Sequence, residues 1–372
     1  MNNAESKASK ITHVVSYVSI DGAYGGPVAV AMGQIAELAR RGHETELMAG
    51  WDGFQEVDIP NAHVTLLAVQ RIGPGFIGLV SPKLWMLLLR KSRPSDAFHI
   101  HMGRDPISLI SAWILMLKRI PYVVQTHGMI MPRRSLRVRL IDTAITRRVL
   151  KSARRVLVLT GAEAKGINHI CQGDAKVELI PNGITLAPRQ PIERQTNRIL
   201  FLARLHPRKR VMAFAEMCRI LVEAGAEFTA HVVGPDEGDL ASLRAYIREF
   251  GLSRNLTYEG PVGPGDSLQW LASSAVFVLP SVGEVFPMTV LEALAAGTPV
   301  VTTADSGLAP MLVKLGAAAV TNGSPQELAN EVAKLLSDEG YRSSLVRQGY
   351  RAVEQELNIG AVAAQLETAY DS

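Results

Sequence analysis

The stretch GEVFPMTVLEALAAGTPVV, residues 283–301, carries two glutamates eight positions apart, Glu284 ahead of a run of helix formers and Glu292 within it. Pro287 suits a first helical turn, Met288 to Ala296 favour helix, and Gly297 with Pro299 supplies the stop. AVFVLP just before this stretch and PVVTT at its end are short β-branched runs, so the segment spells strand, loop, helix, strand. That is the unit of a parallel α/β sheet, which takes its ligands at the carboxyl ends of its strands, where Glu284 falls.

Outward from this unit the same alternation recurs. RILFLARL, FTAHVVG and NLTYEG precede it as strands, and THVVSYVS, HETELMAG, AFHIHM, YVVQTH and RVLVLT form an earlier series. Between the two series, IPNGITLAPRQPIERQTN is rich in Pro, Asn and charge and breaks the rhythm. The expected architecture is therefore α/β, with two Rossmann-like doubly wound domains facing a central cleft. The expected boundaries are residues 1–185, a linker at 186–197, a second domain at 198–340, and C-terminal helices at 341–372 that could cross back to the first domain. A cleft built from two such sheets suits a two-substrate reaction.

Composition narrows the classes. With 372 residues, 47% of them hydrophobic, the chain can bury two cores. Two cysteines, Cys171 and Cys218, are too few and too far apart for a disulfide framework or a zinc site, which fits a reducing cytosol. MNNAESKASK has no apolar signal core, and the longest uncharged apolar run, Pro106 to Leu117, is short of the ~20 residues a membrane span needs. A cytoplasmic location is expected. The formal charge of +4 is mild, but the positive charge is unevenly spread.

Cations mark the start of the second series. In FLARLHPRKRV, Arg204 and Lys209 stand five residues apart, between a strand end and the helix VMAFAEMCRILVEAG. Phosphate there would meet guanidinium, ammonium and helix dipole together, although a solvated basic loop has the same composition. In the first series YGGPVAV places Gly25 and Gly26 in the first strand-to-helix loop, where backbone can approach a phosphate or sugar, or simply turn. A dinucleotide fingerprint needs G-x-G-x-x-G, which Gly22, Gly25 and Gly26 do not fit, even though Asp52 could imitate its ribose acid.

Together these residues resemble family four of the retaining glycosyltransferases, of GT-B fold and of the bacterial polysaccharide or glycolipid assembly type. The likeness rests on R-x4-K at Arg204 and Lys209, on E-x7-E at Glu284 and Glu292 followed by EALAAGTPVV, on GG in the first loop and on IPNGI before the linker. It covers nearly the whole chain in order. The resemblance implies that Glu292 grips the nucleotide ribose hydroxyls, that Glu284 lies near the donor sugar, and that Arg204 and Lys209 bind the diphosphate. It also implies an active-site histidine at His127 of QTHGM, and donor contacts at Gly25, Gly26, Gly234, Val262, Phe286 and Met288. His99 and His101, alternating with apolar neighbours in a strand, are expected to serve packing. Two departures from the family pattern are Pro287 and Arg210, each at a position where glycine is common.

The activity so implied is transfer of a hexose from a nucleoside diphosphate-sugar to an acceptor hydroxyl with retention, the nucleotide-sugar being co-substrate and no cofactor being needed. A glycan or lipid-linked acceptor is expected. No D-x-D pair stands where a metal-dependent enzyme would use one, and PDEGD has the wrong spacing, so metal-independent transfer is expected. A catalytically inactive GT-B-shaped binding or scaffold protein is the competing class, which an intact Arg204, Lys209, Glu284 and Glu292 set argues against. Nucleic acid is not expected as a partner, because the basic stretch after His127 lacks interleaved aromatics.

That stretch, PRRSLRVRLIDTAITRRVLKSARR, holds nine basic residues, Arg133, Arg134, Arg137, Arg139, Arg147, Arg148, Lys151, Arg154 and Arg155, against one acid, Asp142. Leu136, Leu140, Ala144 and Val149 recur at helical spacing, so an apolar stripe is expected to pack on the domain and leave the arginines outside. KLWMLLLRKSR, from Lys83 to Arg93, joins apolar bulk to positive charge; a buried core helix is the main reading and a segment lying at a membrane interface the alternative. A peripheral role on an anionic membrane surface is one expectation, and a solvated basic helix with no such role is the other.

Overall fold

The computed structural model describes residues 10–18, 25–53, 57–73, 75–186 and 194–371. The chain divides into two compact units, one of residues 1–185 with 359–372 and one of residues 186–358. Each is a parallel α/β sheet wound on both faces by helices.

In the first unit the elements run β1 (Ile11–Val18), α1 (Gly25–Arg40), β2 (Thr45–Trp51), β3 (His63–Ala68), the short hairpin β4 (Gln70–Arg71) and β5 (Leu79–Val80), α2 (Pro82–Lys91), β6 (Ala97–His101), α3 (Pro106–Leu117) and β7 (Tyr122–Gln125). They continue as α4 (Leu136–Ile141), α5 (Arg147–Ser152), β8 (Val156–Val158), α6 (Gly161–Cys171) and β9 (Val177–Leu179). The seven-stranded sheet has the order β3-β2-β1-β6-β7-β8-β9. Its central strand β1 is buried along its whole length, as a parallel strand covered on both faces must be.

The second unit runs β10 (Gln195–Leu202), α7 (Val211–Glu223), β11 (Thr229–Val233), α8 (Leu240–Glu249), β12 (Leu256–Gly260), α9 (Pro264–Ser273), β13 (Ser274–Leu279), α10 (Met288–Ala295), β14 (Val300–Thr303), α11 (Ala309–Leu315), β15 (Ala319–Thr321), α12 (Pro325–Ser337) and α13 (Glu339–Gln355). Its six strands are ordered β12-β11-β10-β13-β14-β15. A core around Phe201, Phe214 and Val276 fills one side. The last helix, α14 (Ile359–Asp371), belongs to the first unit, whereas α13 stays with the second.

Two details differ from the sequence reading. Strand β10 begins at Gln195, inside the expected linker, with its first three residues exposed. Pro287 is the residue before α10 rather than in its first turn, so Glu292 lies little more than one turn in. The stop is as expected: Gly297 takes φ 71°, its N–H donates to Leu294 and that of Thr298 to Ala293.

In both sheets the strand order reverses beside the first strand, between β1 and β6 and between β10 and β13. Loops leaving such a pair diverge to opposite faces and open a crevice at the strand ends. Among the described residues, no helix is long and apolar enough to cross a membrane.

Candidate active site

In the second unit the reversal sets the exits of β10 and β13 side by side. The β10 exit carries Arg204 and, in a short 3-10 turn Pro207–Lys209, Lys209. The β13 exit is the loop that carries Glu284. Lys209 Nζ lies 2.9 Å from Glu284 Oε2, both side chains largely buried, so two residues 75 positions apart meet at the crevice. Arg204 is half exposed and pairs with Glu237 at 2.6 Å, a solvent-screened contact that an anion can displace.

The basic loop is more than a solvated run of cations. Arg208 donates to the Gly283 carbonyl while its own carbonyl accepts from Val282 N–H at 2.9 Å, which ties the lysine loop to the glutamate loop. Arg210 donates to the Gly323 carbonyl at 2.9 Å. Its φ of 56° is a left-handed conformation that glycine adopts without cost, so the loop carries an arginine in a backbone state that favours glycine. Arg208 and Arg210 therefore hold the loops, a role sequence reading missed because it depends on carbonyls remote in the chain.

Glu292, half-buried on α10, has no side-chain hydrogen bond among the described residues, and burial holds its carboxyl above the ordinary carboxylate range. An ionised group there is short of donors. Val262, Phe286 and Met288 are half-buried, Val262 beyond β12 and the other two around the start of α10. Gly234 has a structural reason of its own: at φ 142° a Cβ would lie 2.0 Å from the Ala203 carbonyl oxygen. Its absent side chain lets the ends of β10 and β11 meet.

In the first unit Gly25 and Gly26 open α1 rather than form a turn, and a Cβ on Gly26 would meet nothing within 4 Å. Gly22 lies outside the described residues. Asp52, the other half of the dinucleotide alternative, accepts from Tyr17 Oη at 3.0 Å.

His127 follows β7 at φ 48°, and the fully buried Glu163 of α6 fastens the turn around it. One Glu163 oxygen accepts from Thr126 Oγ1 at 2.5 Å and from Gly128 N–H, the other from Leu159 N–H at 2.8 Å. Arg104 forms a bidentate bridge to Asp142 (2.8 and 3.0 Å) and donates to the carbonyls of Met129 and Met131, fixing the chain that leaves His127.

The packing role expected for His99 and His101 is incomplete. The i, i+2 spacing on β6 puts both rings on one face, and the β1–β6 register sets His13 opposite His99 on that face. His101 Nδ1 lies 2.8 Å from His127 Nε2, and His13 Nδ1 lies 3.0 Å from His101 Nε2. Burial holds His13, His99 and His101 well below the ordinary histidine range, and lowers His127 to about 3. The unfolded chain thus takes up protons below its ordinary value of ~6.5 that the folded chain refuses, so stability is full above that value and falls as pH drops below it. The urea midpoint is expected to fall between about pH 7 and about pH 5, and less steeply in a His13→Gln variant. Equal slopes in the two proteins would contradict a proton-refusing cluster.

The basic stretch of the first unit also departs from expectation. Leu136 and Leu140 are not packed inward but are 74% and 71% exposed, Ala144 is exposed too, and only Val149 of the stripe is buried. The helix turns inward through Asp142, Thr146, Val149 and Leu150 instead, because Arg104 draws Asp142 into the interior. Arg147, Arg148 and Arg154 donate to carbonyls, Lys151 pairs with Asp174 and Arg155 with Glu178. Arg133, Arg134, Arg137 and Arg139 are exposed and have no such partner among the described residues. In α2, Leu84 and Leu88 are buried while Met86 and Leu89 face solvent.

Comparison with known proteins agrees with the fold and with the family resemblance. Residues 25–183 match the glycosyl transferase 4-like domain and residues 185–352 match glycosyl transferases group 1. The chain belongs to this glycosyltransferase family, with the GT-B fold. A D-inositol 3-phosphate glycosyltransferase of Mycolicibacterium vanbaalenii is 28% identical over 212 residues, 51% of this chain and 47% of that protein. The chain's matches thus span about half the length of the first such curated relatives. The 2-deoxystreptamine glucosyltransferase of Streptomyces kanamyceticus is 25% identical over 362 residues, 87% of this chain and 92% of that protein. Among solved structures, Anabaena HepE in complex with UDP is similar at a TM-score of 0.74 and 17% identity, covering 97% of this chain and 99% of that one.

Proposed function

We propose that the protein is a metal-independent retaining glycosyltransferase that moves a hexose from a nucleoside diphosphate-sugar to an acceptor hydroxyl. The observation that carries this reading is the crevice of the second unit, where Lys209 and Glu284 meet at 2.9 Å and the helix that follows carries the half-buried Glu292, which has no side-chain hydrogen bond among the described residues. A carboxylate accepts from two vicinal hydroxyls at once, and nucleotide ribose supplies them. Lys209 and Arg204 take the diphosphate, and Glu284 orients the sugar as the lysine turns to phosphate. Gly234, Val262, Phe286 and Met288 line the donor. UDP is the first nucleotide to try, since it is the one in the Anabaena complex.

In the transfer the bond from the sugar's anomeric carbon to the phosphate oxygen breaks, and a bond to the acceptor oxygen forms on the same face. The departing phosphate takes the acceptor's proton, and the two cations with the amides that open α7 stabilise its charge. No side chain is assigned as nucleophile. The candidate residues of the first unit are Gly25, Gly26 and His127. The test is transfer from UDP-glucose and other nucleotide sugars to a panel of hydroxyl acceptors with and without EDTA, the anomeric configuration being read by NMR. Retained configuration with chelator-insensitive rates supports the proposal. Inversion, or activity restored only by Mg²⁺ or Mn²⁺, overturns it.

The acceptor is proposed to be a glycan or a lipid-linked intermediate, met on the cytoplasmic face of a membrane. Arg133, Arg134, Arg137 and Arg139 surround two leucines that point to solvent. Each cation near an anionic leaflet contributes about 1 kcal/mol, so four suffice for reversible binding, and the leucines add apolar insertion. The protein is expected to co-sediment with anionic but not neutral vesicles, and to be released by high salt and by changing the four arginines to serine. Equal binding to neutral vesicles, or unchanged binding of that variant, would leave a soluble acceptor.

A further inference from the structure

The buried histidines of the first unit do not end at His101. Tyr370, on α14, places its hydroxyl 2.8 Å from His99 Nδ1 and 3.3 Å from His13 Nε2. A continuous path of hydrogen-bonding atoms therefore runs from Tyr370 through His13 and His101 to Nε2 of His127. Helix α14 is held in place for this. Glu367 accepts from Arg41 at 2.8 and 2.6 Å, and Arg154 donates to the Tyr370 carbonyl. Val362, Ala363 and Leu366 pack with Val123 and Leu157 of β7 and β8.

Three of these rings, His13, His99 and His101, have nitrogens within 4.8 Å of one another, which raises the question of a metal. The ring planes argue against it. His99 and His101 are stacked with an interplanar angle of 6° and centroids 4.5 Å apart. Imidazole lone pairs lie in the ring plane, so stacked rings aim theirs in parallel planes rather than at one point. The nearest nitrogens of His13 and His101 also already face each other at hydrogen-bond distance.

Uncharged imidazole has one N–H and one bare nitrogen, so each link must hold one proton. Were Tyr370 to accept from both His13 and His99, its own buried O–H would have no acceptor among the described residues, which leaves two patterns in which the hydroxyl gives one proton and takes one. In the first, Tyr370 donates to His13 Nε2, His13 Nδ1–H to His101 Nε2, and His101 Nδ1–H to His127 Nε2, while Tyr370 accepts from His99 Nδ1–H. In the second all the arrows reverse, and the proton of His99 moves to its Nε2. That nitrogen is buried and has no partner within hydrogen-bond distance among the described residues; the oxygen of the neighbouring Gln125 amide already accepts from Gln34 Nε2 at 3.1 Å. A buried N–H without an acceptor is rarer and costlier than an unused lone pair, which selects the first pattern.

We propose that Tyr370, His13 and His101 form a relay that fixes the tautomer of His127, holding its proton on Nδ1, the ring nitrogen outside the relay, which is thereby a donor. His101, His13 and Tyr370 are then positioning residues that act through His127. The relay couples the last helix of the chain to a group 243 residues earlier, which gives the return of α14 to the first unit a chemical consequence. What the donor N–H does in the reaction rests on the function proposed above. The tautomer itself does not.

The test uses nitrogen-15 imidazole spectra of the full chain and of Tyr370→Phe, which keeps the ring and loses the hydroxyl. His127 is expected to be protonated on Nδ1 in the parent and to become a mixture of tautomers in the variant. In a transfer assay the variant should lose about tenfold in kcat with donor KM within about twofold, since an outer partner tunes a group without binding substrate. A His127 protonated on Nε2 in the parent, or a tautomer unaltered in Tyr370→Phe, overturns the proposal. If that variant does not fold, the parent spectrum decides the first point and His101→Gln replaces it for the second. Stoichiometric zinc uptake that His99→Gln abolishes and Tyr370→Phe preserves would show a metal site instead. Absence of transfer with every donor would overturn the function and leave the tautomer assignment standing on the spectra.

Discussion

Lys209→Ala is expected to lower turnover by about a hundredfold to a thousandfold, the usual effect of losing one preorganised charge stabiliser. The lysine's geometry argues for the upper part of that range. Its ammonium is mostly shielded and already 2.9 Å from Glu284, so little reorganisation separates it from a phosphate. Arg204→Ala should fall in the lower part, because Arg204 is half exposed and solvent can replace some of its charge. Lys209→Met, which keeps the stem, should resemble Lys209→Ala. Near-normal turnover in either lysine variant would remove the diphosphate role, and recovery by Met alone would reassign the lysine to packing.

The second large effect concerns Glu292, and it has opposite signs for binding and for stability. Glu292→Gln should weaken nucleoside diphosphate binding by roughly tenfold to a hundredfold, the range for losing hydrogen bonds to a charged acceptor. The same change should raise the melting temperature at neutral pH. Burial lifts the folded carboxyl above its unfolded value, so the folded state loses stability as pH rises through the carboxylate range and carries that penalty at neutral pH. Gln cannot ionise and escapes it. A variant that is both less stable and unaltered in nucleotide affinity would return Glu292 to an ordinary helix-surface role. Glu284→Ala, by contrast, should mainly harm transfer and sugar discrimination, and competition by free nucleoside diphosphate separates the two.

The sequence disclosed the fold where strands are central and bulky. AVFVLP, ILFL of β10 and THVVSYV are buried on both faces, and their β-branched and aromatic runs follow from that burial. It disclosed less at the edges. Strand β3 is half exposed, β9 is three residues long, and β15 begins in a run of alanines, so none reads as a long, fully buried apolar run. The candidate site was legible where it is local, as with Arg204 and Lys209 in one loop and Glu284 and Glu292 in one segment.

What was hidden is long-range. Glu163 secures the turn at His127 from another helix, Arg208 reaches a carbonyl 75 residues on, and the histidine relay exists only because β1, β6 and α14 are neighbours in space. His99 and His101 looked like packing because alternation in a strand has the same appearance whether the inward side chain meets carbon or another imidazole. The exposed leucines of α4 were hidden for a similar reason. Helical spacing locates a stripe but cannot say that a buried Arg104–Asp142 pair has turned the helix about its axis.

The most direct test of the donor site is a thermal-shift series with UDP, UDP-glucose and other nucleoside diphosphates and nucleotide sugars on the parent chain and on Lys209→Ala. A ligand at 100 times its Kd adds about 2.7 kcal/mol of stability, enough to raise the midpoint by several degrees. The expected result is a saturable upward shift with at least one nucleoside diphosphate, resistant to moderate salt and reduced in Lys209→Ala. No shift with any nucleotide or nucleotide sugar, or an equal shift in the lysine variant, would contradict the assignment of this crevice to a nucleotide-sugar donor.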